Sequence, residues 1–197
     1  MSKLNVKTIE LPHASGNSMS IEAPATNPAS DLSIKLPATI GTAGQVLKNS
    51  STAGTLEFGS NHFFEAKRSA NQTSYNGSYG AGLTNLVEFD AENYDIGSNF
   101  NTSTHLYTVP ETGLYHFLAS TYTNEANGSQ QWLVVNGSRV QYSDWVQNTG
   151  DDFNNSSHLL YLTAADTVGL HLYTGNDTSC TIYQSVNHTW FKGYKVH

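Results

Sequence analysis

A close alternation of strand-forming and turn-forming segments constrains the fold of this chain more than any other feature. It is clearest around Pro110, which lacks the backbone N–H that a sheet ladder needs and so ends a strand after Val109. Gly113 then permits a turn, and a strongly apolar run follows from Leu114 to Thr123. No window keeps the period of an amphipathic helix. The pattern therefore predicts an all-β sandwich or jelly roll.

The dipeptide Asn136-Gly137 is the best hairpin signal in the chain. It separates two apolar runs, and Asn-Gly supplies the positive φ angles of a type I′ turn. The tract 71–82 is rich in Gly, Ser, Asn and Tyr and is predicted to be a loop. Further strands are predicted over residues 86–90, 158–163 and 167–173.

Composition and charge argue against several classes of function. The formal net charge is −7 and the pI is about 5.5, whereas a nucleic-acid-binding domain carries a basic footprint. Cys180 is the only cysteine, so no intrachain disulfide can form, and we expect a small buried strand residue there. No apolar run reaches the roughly 18 residues of a membrane helix. The N-terminus has no apolar signal-peptide core, so we expect cytoplasmic synthesis without secretion.

Residues 1–60 differ from the rest of the chain. They hold every proline except Pro110, and Phe58 is their only aromatic residue. Three short apolar/polar alternations here begin with isoleucine and end with proline; their first and last residues are Ile9, Pro12, Ile21, Pro24, Ile34 and Pro37. Such a unit cannot bury its apolar side alone and needs an adjacent repeat, another chain or a docking surface. The alternative is a disordered linker. We predict an extended anchor or stalk.

The end of this N-terminal region carries a first family resemblance. Residues 34–38, 41–49 and 54–59 read as short strands joined by a Ser/Thr/Gly turn. Together they resemble a segment that recurs in tail-fibre and other structural proteins of tailed phages, where it lies between an attachment region and a distal head. The resemblance covers about 25 residues and brings no catalytic residues with it.

A second resemblance spans residues 61–197, and the motifs that carry it are spread along this whole region. They are Phe64-x-Ala66, Val87-x-Phe89, Tyr94-Asp95, Phe100-Asn101, Tyr107-Thr108-Val109-Pro110-x-x-Gly113-x-Tyr115-x-Phe117, Val135-Asn136-Gly137, Leu160-x-Leu162, Asp166-x-Val168 and Phe191-x-Gly193-Tyr194. In order and spacing they resemble the C1q-like domain of the C1q/TNF superfamily. The resemblance implies a ten-strand jelly-roll sandwich that forms homotrimers, with Tyr115, Phe117 and Phe191 in its core. We therefore predict a stalk or anchor over 1–60 and a C1q-like head over 61–197.

The sequence offers binding surfaces rather than catalytic machinery. It has no nucleophile elbow, phosphate-binding glycine loop or metalloprotease helix, so we expect no enzyme. Aromatic residues among Asn, Ser and Gly are typical of recognition surfaces; the candidate ligand-binding residues are Tyr75, Tyr79, Tyr142, Trp145 and Phe153. The alternative is that these rings close the ends of the sandwich or pack between subunits.

Metal binding is expected at one place at most. Asp151 and Asp152 lie beside Gly150 and Asn154, and their carboxylates could contribute to a Ca²⁺ site, which needs several oxygen ligands. A solvated acidic loop is the alternative. We expect no other cofactor. Structural or exposed roles are expected for the scattered histidines, although a strand histidine near a threefold axis, such as His105 or His116, would be tripled in a trimer.

These observations lead to one functional hypothesis and one alternative. The hypothesis is a structural protein on the virion surface of a tailed phage, either a homotrimeric fibre or spike or a capsid decoration protein. Its residues 1–60 would dock on other virion proteins, and its head would stabilise the particle or bind a host glycan or receptor. The alternative is a cellular C1q-like ligand that acts on surface receptors; the lack of a collagen Gly-X-Y repeat in the sequence counts against it.

Overall fold

The structure is a computed structural model of the 197-residue chain. It describes residues 8–12, 18–22, 26, 33–42, 45–50, 52–78, 85–124, 128–146, 151–175, 177–184 and 187–196. Pro24 and Tyr79 lie outside these ranges. Strands and turns make up the described residues, and no helix among them is long and apolar enough to cross a membrane.

The chain divides into two units. The smaller comprises Met1–Gly41 with Leu47–Phe58, and the larger comprises Thr42–Val46 with Gly59–His197. We describe each unit by itself.

The N-terminal repeats pair with one another in the smaller unit. Strands β1 (Thr8–Pro12) and β2 (Ser18–Glu22) are antiparallel, and their register sets Ile9 opposite Ile21. The first two repeats are thus neighbours in one hairpin, which is one of the arrangements that the sequence left open. Strands β3 (Gln45–Asn49) and β4 (Leu56–Ser60) form a second two-stranded sheet.

Two sheets form the head. The first has the order β6-β15-β10-β16-β5-β7, with β13 paired to the other edge of β10, and we call it the seven-stranded sheet. The second, the five-stranded sheet, has the order β12-β11-β14-β9-β8. The strands are β5 (Phe63–Lys67), β6 (Gln72–Tyr75), β7 (Ala91–Ile96), β8 (Phe100–Asn101), β9 (Leu106–Thr108), β10 (Gly113–Thr123), β11 (Gln130–Val135), β12 (Ser138–Tyr142), β13 (Asp152–Leu162), β14 (Thr167–Tyr173), β15 (Cys180–Ile182) and β16 (Trp190–Lys195).

The core lies between these sheets and is rich in aromatic rings. The ring of Phe64 in the seven-stranded sheet stacks on Tyr107 of the five-stranded sheet, with 4.6 Å between centroids. Tyr115, Phe117 and Phe191 are fully buried, as the family resemblance implied. The all-β jelly-roll prediction is therefore confirmed, and Cys180 is buried as expected.

One end of the core is polar and joins the two sheets by hydrogen bonds. Gln131 of β11 donates through Nε2 to the carbonyl of Asn154 in β13 at 2.9 Å. Asn154 in turn donates through Nδ2 to the carbonyl of Ser129 at 2.8 Å. Because both amides are buried, these bonds satisfy groups that would otherwise destabilise the fold.

Two local predictions are wrong. The tract 71–82 is not wholly a loop, because β6 pairs with β15 and buries Gln72 and Tyr75. Residues 86–90 form no strand, although Val87 and Phe89 alternate as buried residues. The backbone N–H of Val87 donates to the carbonyl of Leu170 in β14, but the N–H of Phe89 donates back to the carbonyl of Val87, so the segment touches β14 without continuing as a ladder.

The turn prediction at Asn136-Gly137 is confirmed. Both residues have positive φ, 49° and 74°, and they connect β11 to β12. The prediction at 167–173 coincides with β14. Strand β13 extends well before its predicted start at His158, because its polar first half also pairs with β10, so that the two strands are paired along their whole length.

Candidate binding surfaces

The outward side of the seven-stranded sheet is an exposed apolar surface, which we call the open face. Along β10 the side chains of Tyr115 and Phe117 point into the core, so the residues between them point outward. The register carries this outward side across five strands. Its exposed large apolar residues are Phe63, Tyr94, Ile96, Phe153, Leu159, Tyr161 and Tyr194.

A histidine lies within this apolar surface. His116 Nδ1 is 2.8 Å from the hydroxyl of Tyr194, and its Nε2 is 2.8 Å from Ser157 Oγ. Both partners can donate or accept, so each ring nitrogen has a hydrogen-bonding partner whichever tautomer is present. The histidine is thereby held by side chains from both neighbouring strands.

The open face also carries one charged cluster. Lys192 Nζ is 3.2 Å from Glu65 Oε2 and 4.1 Å from the centroid of the Trp190 ring. Burial of Glu65 opposes its ionisation, but hydrogen bonds from Asn93 and Lys192 outweigh burial and lower its pKa. The carboxylate is therefore kept ionised beside its cation at neutral pH.

A depression of about 380 Å³ lies at one end of the open face. Three of its lining residues are the aromatic residues Phe63, Tyr94 and Tyr194, and Lys195 lies on its rim. Lys195 Nζ is 2.6 Å from Glu111 Oε2, so the cation is already paired. The depression thus offers a recess of mixed aromatic and polar lining to whatever covers the open face.

A second aromatic surface lies on the outward side of the five-stranded sheet. We call Trp132, Arg139, Tyr142, Trp145 and Tyr173 the tryptophan patch. The Trp132 ring is 5.8 Å from both Tyr142 and Tyr173, and Trp145 is 5.6 Å from Tyr173, measured between centroids. The guanidinium of Arg139 lies 4.2 Å from the centroid of Trp132, within the range of a cation–π contact.

A buried histidine lies beside this patch. His171 pairs with Trp132 across the sheet, and its Nδ1 is 2.8 Å from the carbonyl of Asn85. Burial, with a smaller contribution from the charge of Arg139, lowers the pKa of His171 to about 4, against the opposing effect of the Asn85 carbonyl. The imidazole is therefore neutral at physiological pH and acts as part of the structure.

Phe153 belongs to neither the tryptophan patch nor the core. Its ring stacks on Tyr122 with 4.4 Å between centroids and 4° between planes, at the end of the open face. Tyr122 donates its hydroxyl to Asp151 at 2.6 Å, and this hydrogen bond is the first cause of a raised Tyr122 pKa. Asp151 thus has a structural partner. The described residues contain no cluster of three metal-ligating side chains, and the side chain of Asp152 lies outside them, so calcium binding stays a prediction.

The five candidate ligand-binding residues do not form one site. Tyr142 and Trp145 come together in the tryptophan patch, whereas Phe153 lies on the open face. Tyr75 is 2% exposed, and its hydroxyl donates to the carbonyl of Asn85 at 3.0 Å. Tyr75 is therefore a core residue that links two segments by a hydrogen bond, and the prediction that it lies on a binding surface is corrected. Tyr79 lies outside the described residues.

Sequence reasoning missed the open face altogether, and it missed Trp132 and Tyr173 in the patch. A signal for the open face was present, because β10 is apolar on both sides: Leu114 and Leu118 alternate with the core residues Tyr115 and Phe117. A strand that is apolar on both sides is normally covered on both sides. The apolar pattern on both sides of β10 could therefore have predicted from sequence alone that the outer side of this sheet needs a partner.

Several of the predicted anchor residues have exposed side chains. Ile34 and its neighbour Leu36 are exposed, as is Ile9, and Pro37 is half-buried. Lys35 forms a parallel bridge to Thr55 through two backbone hydrogen bonds of 2.8 Å. The exposed apolar side chains of Ile34 and Leu36 therefore flank Lys35, whose backbone is held by hydrogen bonds.

Comparisons with known proteins agree with the fold. The family model of the C1q domain matches residues 63–196. The globular domain of zebrafish complement 1qA protein has a TM-score of 0.50 and 16% identity, over 69% of this chain and 98% of that chain. Murine APRIL at pH 5.0 has a TM-score of 0.52 and 10% identity, over 69% of this chain and 99% of that chain. A comparison with curated proteins found no match.

Proposed function

Because this chain belongs to the C1q domain family, we propose that it is a non-enzymatic binding module that forms a homotrimer through the open face and docks on a tailed-phage particle through residues 1–60. The observation that carries the proposal is the open face itself. C1q/TNF-like domains are generally non-enzymatic binding modules, and the open face of this one is an extended surface available for contact.

The open face has the character of a subunit interface. Soluble monomers rarely expose a contiguous apolar patch as extended as one spread over five strands. Tyr161 is 73% exposed on β13, at the free edge of the sheet. The aromatic depression lies at the opposite edge, on β5, β7 and β16. A knob on one edge and a recess on the other favour head-to-tail contacts, which close into rings.

The proposed particle context rests on the N-terminal region. Residues 34–59 resemble the segment of phage fibre proteins described above, and Ile34 and Leu36 present apolar side chains. We expect these side chains to be covered by another virion protein. The protein would then lie on the virion surface, as a fibre, spike or decoration protein, with its head exposed for stabilisation or for binding of a host glycan or receptor. The alternative remains a cellular ligand for surface receptors.

The trimer is tested with the full-length chain in solution. Light scattering coupled to size exclusion should give three times the chain mass of 21.4 kDa. Tyr161→Glu places a charge in the proposed interface and should give the mass of a single chain, because an unpaired buried charge is strongly unfavourable. Tyr142→Glu, at an exposed tyrosine of the other sheet, is the matched control and should stay trimeric. A monomeric wild-type chain, or a trimeric Tyr161→Glu variant, would contradict the proposal.

A further inference from the structure

We propose that the tryptophan patch is a carbohydrate-binding site whose exposed rings, Trp145 and Tyr142, stack against pyranose rings. The inference rests on the proposed function in one respect: it names the ligand class and the surface of the binding module. It does not depend on how many heads assemble, since each head carries a complete patch.

The patch stays accessible when the open face is covered. Trp132, Tyr142 and Tyr173 lie on β11, β12 and β14, which form the five-stranded sheet. The open face lies on the other sheet and points away from the core in the opposite sense. A ligand on the patch therefore does not compete with the proposed subunit contacts.

The rings of the patch are exposed but held in place. Tyr142 is 68% exposed and Trp145 is 41% exposed, yet each has an aromatic neighbour within 5.8 Å. Trp132 donates its Nε1–H to Gln130 Oε1 at 2.8 Å, and Gln130 donates through Nε2 to the carbonyl of Ser143 at 2.8 Å. Side chains that are fixed before binding lose little conformational entropy on binding.

The rings of the patch contact one another at a tilt, and Tyr142 and Trp145 keep much of their surface open to solvent. The planes of Trp132 and Tyr142 are inclined by 36°, and those of Trp145 and Tyr173 by 57°. Inclined, exposed rings with hydroxyls at their edges suit a ligand that has both an apolar face and polar edges. A pyranose ring has this combination, with C–H bonds on one face and hydroxyl groups around it. Aromatic side chains that are apolar on one side and polar at the tip match it.

A protein partner fits the patch less well. A stable protein interface buries about 800 Å² on each side. The patch consists of four rings and the guanidinium over one of them, Trp132, whereas the open face of the same head carries exposed apolar residues on five strands. The patch is therefore of the size of a small ligand, and a protein on the patch is an outcome that the experiment below can reveal.

Arg139 adds a distinction between acidic and neutral sugars. Its guanidinium can bond a carboxylate with two parallel hydrogen bonds. A uronic or sialic acid would supply the carboxylate, whereas a neutral hexose would use the rings alone. Acidic and neutral sugars share the stacked pyranose ring. The variant Arg139→Gln distinguishes them, because it should weaken the binding of acidic sugars only.

The test uses the full-length chain and an array of neutral and uronic- or sialic-acid-containing oligosaccharides. Hits are then titrated by tryptophan fluorescence and calorimetry. We expect binding to at least one class, at least a tenfold loss of affinity in Trp145→Ala, and a several-fold loss in Tyr142→Ala. Val140→Ala is the matched control, because it removes an exposed apolar side chain of β12 that is not part of the patch, and it should leave the affinity per head unchanged. Near-ultraviolet circular dichroism and thermal unfolding check that each variant is folded.

Two results would overturn the inference. One is an array on which no oligosaccharide binds. In that case, loss of binding to a protein in the double variant Tyr142→Ala/Trp145→Ala would assign the patch to a protein partner instead. The other is a double variant that binds sugars as tightly as the wild-type chain. Neither result bears on the number of chains in the oligomer, because the mass of the oligomer is measured separately. A trimer without sugar binding would reject only this site, and a monomer with sugar binding would reject only the assembly.

Discussion

At the scale of the residue, we expect His171 to make the largest contribution to a pH dependence of the stability of the head. Its Nε2 is buried and has no hydrogen-bond partner among the described residues, and the hydroxyl of Tyr75 is 3.3 Å from its Nδ1. Protonation would place a charge in this site close to Arg139. The neutral imidazole is compatible with this environment, whereas the imidazolium is not.

We predict that the head loses stability as the pH falls from 6.5 to about 4. The pKa of His171 is lowered from 6.5 to about 4 in the folded state. The unfolded chain therefore binds the proton first, and the stabilisation is complete above pH 6.5 and is lost as the pH approaches 4. The full effect is on the order of 3 kcal/mol. Urea unfolding at pH 7 and pH 4.5 measures it.

The control separates His171 from other groups that titrate in this window. The pKa of His158 is also lowered, by burial and by His116, so it acts in the same direction. His171→Gln should therefore flatten the dependence of unfolding free energy on pH without abolishing it. Equal slopes for wild type and His171→Gln would show that His171 is not the cause.

At the scale of elements, β16 depends on a close approach between its backbone and two aromatic rings. Gly193 pairs with Phe117 on one side and with Phe64 on the other. A Cβ at this position would lie 2.6 Å from Phe117 Cδ1 and 2.8 Å from Phe64 Cε1. Both rings belong to the packed aromatic core and have no free space to move into.

We predict that Gly193→Ala destabilises the head by about 2 to 3 kcal/mol, as overpacking does. Gly137→Ala is the comparison, because nothing lies within 4 Å of its added Cβ and only its positive φ of 74° is unfavourable. That strain costs about 1 kcal/mol. Unfolding midpoints in urea rank the two variants. A larger loss for Gly137→Ala would contradict the packing argument.

The elements that sequence could predict were those with a local signal. The Asn136-Gly137 turn carries its φ preference in two residues, and β14 is bounded by polar residues on both sides. Strand β6 was missed because its partner β15 is more than 100 residues away and its own composition is that of a loop. The open face and the patch were missed for a similar reason. Which side of a strand is covered depends on partners that no local window contains.

For the molecule as a whole, the proposal assigns separate roles to the two units. The described core of the head is made only of residues from Phe64 onward, so removing residues 1–60 leaves it intact. We predict that the truncated chain remains a soluble trimer but no longer joins the particle, because the exposed Ile34 and Leu36 are lost. Mass measurement and co-sedimentation with particles test both halves. Particle incorporation of the truncated chain would reject the anchor.

The buried position of Cys180 has a practical consequence for these experiments. It is the only cysteine in the chain and is 1% exposed, on the short strand β15 beside β6. A second cysteine introduced on either surface can therefore carry a fluorophore or cross-linker while the native thiol is shielded by the fold. Slow modification of Cys180 itself then reports how often the β6–β15 edge opens. The rate of Cys180 modification thus measures local unfolding without any added label.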